Sequence, residues 1–142
     1  MSNAMLEREC STTNDRQAPR WWSWAVVAVY WLGMFGGTHW PTPPHAPFGT
    51  ADKWMHFGAY GGLAWLLSIA IGTRRPVSLA VGVAVVVLLA GWGAIDEVTQ
   101  PMVGRDCDLW DWAADVAGVL VGVGCFRLGV LARRQWSSRA TG

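Results

Sequence analysis

The chain has 142 residues, enough for one domain with its own core, and nothing in it suggests a second. Its residues are 52% hydrophobic and only 15% charged, with eleven tryptophans and a positive mean hydropathy, which excludes an ordinary soluble domain. The formal net charge of +1 says little by itself; no nucleic-acid partner is expected, and the apolar composition makes the lipid bilayer the expected one.

Met-Ser-Asn-Ala ahead of Met5 reads as an expression scar, and residues 5–20 are polar without an apolar period, so 1–20 is expected to be scar and flexible tail. The domain proper is expected over 21–132. Four stretches in it suit membrane spans of about 20 residues: about 21–38, 54–73, 77–98 and 110–131. Trp21, Trp22 and Trp24 follow Arg20 and read as an aromatic belt at the headgroup level. Pro41, Pro43, Pro44 and Pro47 then forbid a helix and predict a stiff loop in which His39 and His45 are exposed.

The second span is expected to begin near Asp52, a capping residue, and to end at Gly72 before Arg74, Arg75 and Pro76. The third, "VSLAVGVAVVVLLAGWGAI", is the purest lipid-compatible segment and ends in a polar half-turn. The fourth carries Ala114, Gly118 and Gly122 at four-residue spacing, a small-residue stripe that lets another helix approach closely. Residues 133–142 form a basic tail. Together these readings predict an all-α integral membrane protein with four transmembrane helices in a compact bundle.

Charge sets the expected orientation. Arg8, Arg16 and Arg20, then Arg74 and Arg75, then Arg133, Arg134 and Arg139 occupy the two termini and the second loop, which the positive-inside rule puts in the cytoplasm. Seven of the ten acids fall at the opposite, outer end, as do Lys53 and Arg105. The three cysteines are divided among inside, outside and the fourth span, so no disulfide is expected.

Helical spacing turns the outer polar residues into faces. Lys53, His56 and Tyr60 stand at i, i+3, i+7, with Asp52 one turn before His56; Glu97 and Gln100 stand at i, i+3, and Asp111 and Asp115 at i, i+4. Charge is costly in hydrocarbon, so these strips should face one another and form one cluster. Asp106 and Asp108, by contrast, read as merely solvated loop acids.

Those residues also carry a resemblance. "DKWMHFGAYGGLA" at 52–64, "DEVTQ" at 96–100, "VGR" at 103–105 and "DWAADVAGVLVG" at 111–122 are together similar to the VanZ-like family of small bacterial membrane proteins. The resemblance covers about half the chain and places the family's polar signature on Asp52, Lys53, His56, Glu97, Gln100, Arg105, Asp111 and Asp115. Two departures stand out: Pro101 follows Gln100 directly instead of preceding the Gly-Arg pair, and Asp115 stands where many members have Asn. The resemblance implies a role in the bacterial cell envelope, at the cytoplasmic (inner) membrane, since the founding member is associated with resistance to the glycopeptide teicoplanin.

Three readings of the cluster follow. Arg105 and Lys53 can hold an anionic or zwitterionic lipid-linked envelope precursor, a peptidoglycan-related molecule or a glycopeptide, with Trp40, Trp54, Trp110 and Trp112 around the mouth. His56 or Glu97 can serve as general base of a membrane-embedded hydrolase or transferase, with Thr99 the only hydroxyl in the outer cluster. Or Lys53 and Arg105 pair with some of Glu97, Asp111 and Asp115 as a polar latch without ligand. A metal held by His56, Glu97 and Asp111 or Asp115 lacks the paired-histidine spacing of a zinc site, so no metal and no cofactor are expected. The oligomeric state stays open.

Overall fold

The computed structural model describes residues 21–40, 49–74 and 76–140. The N-terminal segment 1–20 and the proline-rich loop with His45 lie outside them. Four α-helices follow in order: α1 Trp21–Thr38, α2 Gly49–Gly72, α3 Leu79–Thr99 and α4 Leu109–Ala140, with a 3₁₀ turn, Gln100–Val103, between the last two. No strand occurs among the described residues.

Three of the four helices are long and apolar enough to cross a membrane: Ala51–Gly72, Leu79–Val103 and Leu109–Ala140. Of the four expected spans, α1 is the one not among these. That helix has 18 residues, and its four tryptophans, tyrosine, serine, threonine and three glycines dilute its apolar character. Other boundaries shift as well. Helix α2 starts at Gly49, so Asp52 lies inside its first turn, not ahead of it. Helix α4 continues through Ala140, so the expected basic tail is largely a helical extension with Arg133, Arg134 and Arg139 exposed on it.

The principal contact in the bundle is between α2 and α4. It exists because glycines face one another: a Cβ at Gly118 would collide with the Phe57 carbonyl oxygen, and one at Gly122 with the Gly61 carbonyl oxygen. The small-residue stripe seen in the sequence therefore packs α4 onto α2 backbone against backbone. Around this seam lie Tyr60, Leu63, Ala64, Val119 and Val123, with Val85 and Leu89 from α3 and Met34 from α1. Helix α1 leans on α2 through the Tyr30 hydroxyl, which donates to Ala59 O at 3.1 Å beside Gly62, where a Cβ would displace the tyrosine. It reaches α3 through Trp31, whose ring stands edge-on to Trp92 at 4.9 Å. Val29, Leu32, Val83, Val87, Leu120 and Leu128 point outward, as a surface bathed in lipid requires.

The connection from α3 to α4 is short and sharply turned. Pro101 sits at the start of the 3₁₀ turn, where its missing N–H costs nothing, and Gly104 closes the turn at φ +80. The Gly104 and Arg105 N–H groups then return to Pro101 O and Gln100 O, each at 3.2 Å. This geometry directs Arg105 back over the end of α2.

Candidate functional site

The polar residues gather at the end of the bundle where α1 finishes, α2 begins and the 3₁₀ turn links α3 to α4. Two ion-paired groups form its outer layer. Lys53 Nζ donates to Asp108 Oδ2 at 2.7 Å and to Asp111 Oδ1 at 3.0 Å. Arg105 Nη2 donates to Asp52 Oδ2 at 2.7 Å. The expected cation partners were Glu97, Asp111 and Asp115; only Asp111 is one. Loop geometry, invisible to helical spacing, hands Arg105 to Asp52 and adds Asp108 to Lys53.

Beneath that layer is a buried centre on His56, which is 2% exposed. Its Nδ1 is 2.9 Å from Asp115 Oδ1 and 3.7 Å from Glu97 Oε1. Glu97 is held from two further sides, by Gln100 Nε2 at 3.1 Å to Oε1 and by the Asp108 N–H at 3.1 Å to Oε2. Asp115 Oδ2 and Gln100 Oε1 are buried without a hydrogen-bond partner among the described residues. Tyr60 is fully buried with its hydroxyl beside Asp96 but outside hydrogen-bonding geometry.

A third group was missed by the sequence reading. Asp96, fully buried, accepts from Thr38 Oγ1 at 3.1 Å and lies 3.4 Å from His39 Nδ1. His39 Nε2 in turn meets Thr99 Oγ1 at 2.9 Å. His39 is therefore no exposed loop residue; α1 extends far enough to set it against α3, and its ring stacks on Phe35 at 4.0 Å. Thr99 is also not the only hydroxyl in the cluster, since Thr38 and Tyr60 are there. A signal for Asp96 was present: the buried face of α3 runs Gly82, Val85, Leu89, Gly93, Asp96 at helical spacing, and following it would have turned Asp96 inward.

Asp108 is the other correction. It was read as solvated, yet besides holding Lys53 it caps α4: Oδ1 accepts from Trp110 N at 2.8 Å, and its carbonyl takes Asp111 N and Trp112 N. The Lys53 ammonium, and then the Trp110 N–H, hold its carboxyl below the ordinary 3.8. Its stabilising contribution is thus complete above pH of about 4 and disappears as pH falls through the lowered folded value. Asp108→Ala should cost about 1 kcal/mol in thermal unfolding in detergent at neutral pH. Asp108→Asn, which keeps a capping oxygen, should cost less.

All nine residues expected in the site are at this end, and a cavity of about 150 Å³ reaches into it, lined by Met34, Thr38, Asp52, His56 and Arg105 among others. Of the expected ring of tryptophans, Trp40, Trp54 and Trp110 are exposed, whereas Trp112 is tied to α3 by Nε1 donating to Ala90 O at 3.0 Å. Chemically, His56 with Asp115 is an oriented imidazole–carboxylate pair of the kind a general base uses. No described hydroxyl or thiol lies within hydrogen-bonding distance of His56. For a divalent cation, His56, Glu97 and Asp115 can each offer one atom within 4.8 Å of the others, as can Asp52, His56 and Asp111. Lys53 already neutralises Asp111, which favours the first set.

No family model matches this chain, and no curated protein or solved structure is similar enough to count as a match. Nothing in these comparisons identifies the chain as VanZ-like. That reading rests on the motif residues alone.

Proposed function

We propose that the protein is a multi-pass bacterial envelope protein of the VanZ-like kind that binds the headgroup of a lipid-linked or peptidoglycan-related molecule, or a glycopeptide antibiotic, at the polar end of the bundle. The observation that carries this reading is the cavity bordered by the Asp52–Arg105 pair with His56 at its side. Both members of the pair are mostly shielded from solvent yet line open space, so an anionic group can take the place of Asp52 on the Arg105 fork. The exposed Trp40, Trp54 and Trp110 suit headgroup depth.

In this proposal the polar end faces outward and both termini lie in the cytoplasm. Arg74 after α2 and Arg127, Arg133, Arg134 and Arg139 in the last part of α4 support that orientation, being at the end of the bundle that holds none of the described acids. Helix α1 then supplies the fourth crossing: its 18 residues reach about 27 Å, close to the roughly 30 Å hydrocarbon thickness, with tryptophans at the edge.

A second reading, the latch, is favoured by one specific fact: both cations of the cluster already have carboxylate partners. Binding assays with teicoplanin and with a short-chain prenyl pyrophosphate separate the two. Under the binding reading Arg105→Ala weakens prenyl pyrophosphate binding by about tenfold or more, and Asp52→Asn, which frees the guanidinium, strengthens it. Neither variant altering affinity for either probe, while both lower thermal stability, would leave the latch as the function of this cluster.

A further inference from the structure

The opposite end of the bundle has a different chemistry. A cavity of about 610 Å³ opens where α2 ends, α3 begins and α4 passes, and Arg74, Arg127 and Arg134 line it together with Val77, Phe126 and Leu131. None of the three arginines meets a carboxylate among the described residues, all of whose ion pairs lie in the polar cluster described above. Arg127 leans across Gly82 of α3, and its Nη1 is buried without a hydrogen-bond partner among the described residues. A half-buried guanidinium with one buried, unmet donor, beside two more cations and no described acid, offers unused charge and hydrogen-bonding capacity.

Arg74 belongs to a second opening as well. It lies over the Trp24 ring at 5.7 Å from the centroid and borders a groove of about 590 Å³ along Trp24, Leu67, Ile71, Val81 and Leu88. An adjoining, almost wholly apolar hollow of about 340 Å³ shares Trp24, Leu67 and Leu88 and continues to Trp31 and Trp92. A cationic pocket thus meets, at a single arginine, an apolar channel leading toward the middle of the bundle.

We propose that this end is a binding site for an anionic phospholipid, with its phosphate among Arg74, Arg127 and Arg134 and one acyl chain running from Arg74 along the groove beneath Trp24. Three guanidiniums suit a phosphate because each offers paired donors in a planar fork, and a pocket at the end of membrane-crossing helices lies at the depth of lipid phosphates. The apolar groove selects the lipid over a free phosphate, which has nothing to place in it. The site requires membrane insertion but not the reading given to the polar cluster.

The test uses the purified full chain in a neutral detergent, titrated with dioleoyl phosphatidic acid, dioleoyl phosphatidylglycerol, dioleoyl phosphatidylcholine and inorganic phosphate, with intact-complex mass spectrometry counting bound lipid. Both anionic lipids should bind roughly tenfold or more above phosphatidylcholine, and millimolar inorganic phosphate should not displace them. Arg74 and Arg134 are exposed, so the Arg74→Gln/Arg134→Gln double variant should keep its melting temperature while losing roughly thirtyfold in affinity. Arg133→Gln, an exposed neighbour outside the pocket, should change affinity less than either substitution in that pair. Displacement by inorganic phosphate would overturn the lipid assignment in favour of a free anion. Equal binding of phosphatidylcholine, or a double variant indistinguishable from Arg133→Gln, would overturn the site altogether.

Discussion

Leucine at Gly118 or Gly122 is expected to force α4 away from α2 and to destabilise the protein by about 3 kcal/mol, the upper part of the range for overpacking. The magnitude follows from what the new side chain meets. At both positions even a Cβ runs into a backbone carbonyl oxygen of α2, Phe57 O or Gly61 O, and a backbone carbonyl cannot swing aside as a side-chain tip can. Gly124→Leu and Gly129→Leu serve as controls, because a Cβ at either meets nothing within 4 Å. Those two should unfold at or above the wild-type temperature, since leucine is the better helix former. Gly118→Leu carries a further consequence: Phe57 adjoins His56, and Asp115 lies one turn before Gly118, so prising the seam apart also separates the buried pair. Melting curves in detergent for the four variants decide the matter; four equal curves would mean that the α2–α4 seam is not the close contact described.

Much of this architecture was legible in the sequence because membrane helices advertise themselves by length and uninterrupted apolarity. Helices α2, α3 and α4 fall within a few residues of their expected starts, and the Ala114, Gly118, Gly122 stripe marked the packing face of α4. The status of α1 was harder to read. Aromatic residues with polar edges serve both as apolar bulk and as interfacial anchors, so a tryptophan-rich segment of 18 residues satisfies a charge-free criterion without counting among the helices long and apolar enough to span.

The cluster was legible to the same degree. Spacing along one helix put Lys53, His56 and Tyr60 on a common strip, and Glu97, Gln100, Asp111 and Asp115 opposite them, and these residues do converge. Which acid takes which cation was not legible, because partners are chosen by the turn at Gly104 and by the entry into α4, both non-helical. Asp108 looked solvated for the same reason: a capping residue next to a turn has the composition of any loop acid. His39 was hidden by the prolines that follow it: the end of the first span was expected near residue 38, where α1 does end, and the next residue was therefore assigned to an exposed loop.

The buried pair itself offers the second large effect. His56→Leu removes the hydrogen-bond partner of Asp115 Oδ1 and leaves Asp115, whose Oδ2 already has none, a wholly unpartnered carboxyl at zero exposure. Asp115→Leu leaves His56 with only the longer approach of Glu97 at 3.7 Å. Each single variant is expected to cost about 3 kcal/mol, as breaking one side of a buried ionic or hydrogen-bonded pair does. The double variant His56→Leu/Asp115→Leu leaves neither group orphaned and should cost about 2 kcal/mol less than the sum of the singles, a coupling measurable by a double-mutant cycle in detergent unfolding. Strict additivity would mean that the two groups do not depend on each other. The same variants separate structure from function: a folded double variant, assayed well below its melting temperature, that loses affinity for prenyl pyrophosphate makes His56 part of the binding site, and unchanged affinity would confine the pair to a structural role.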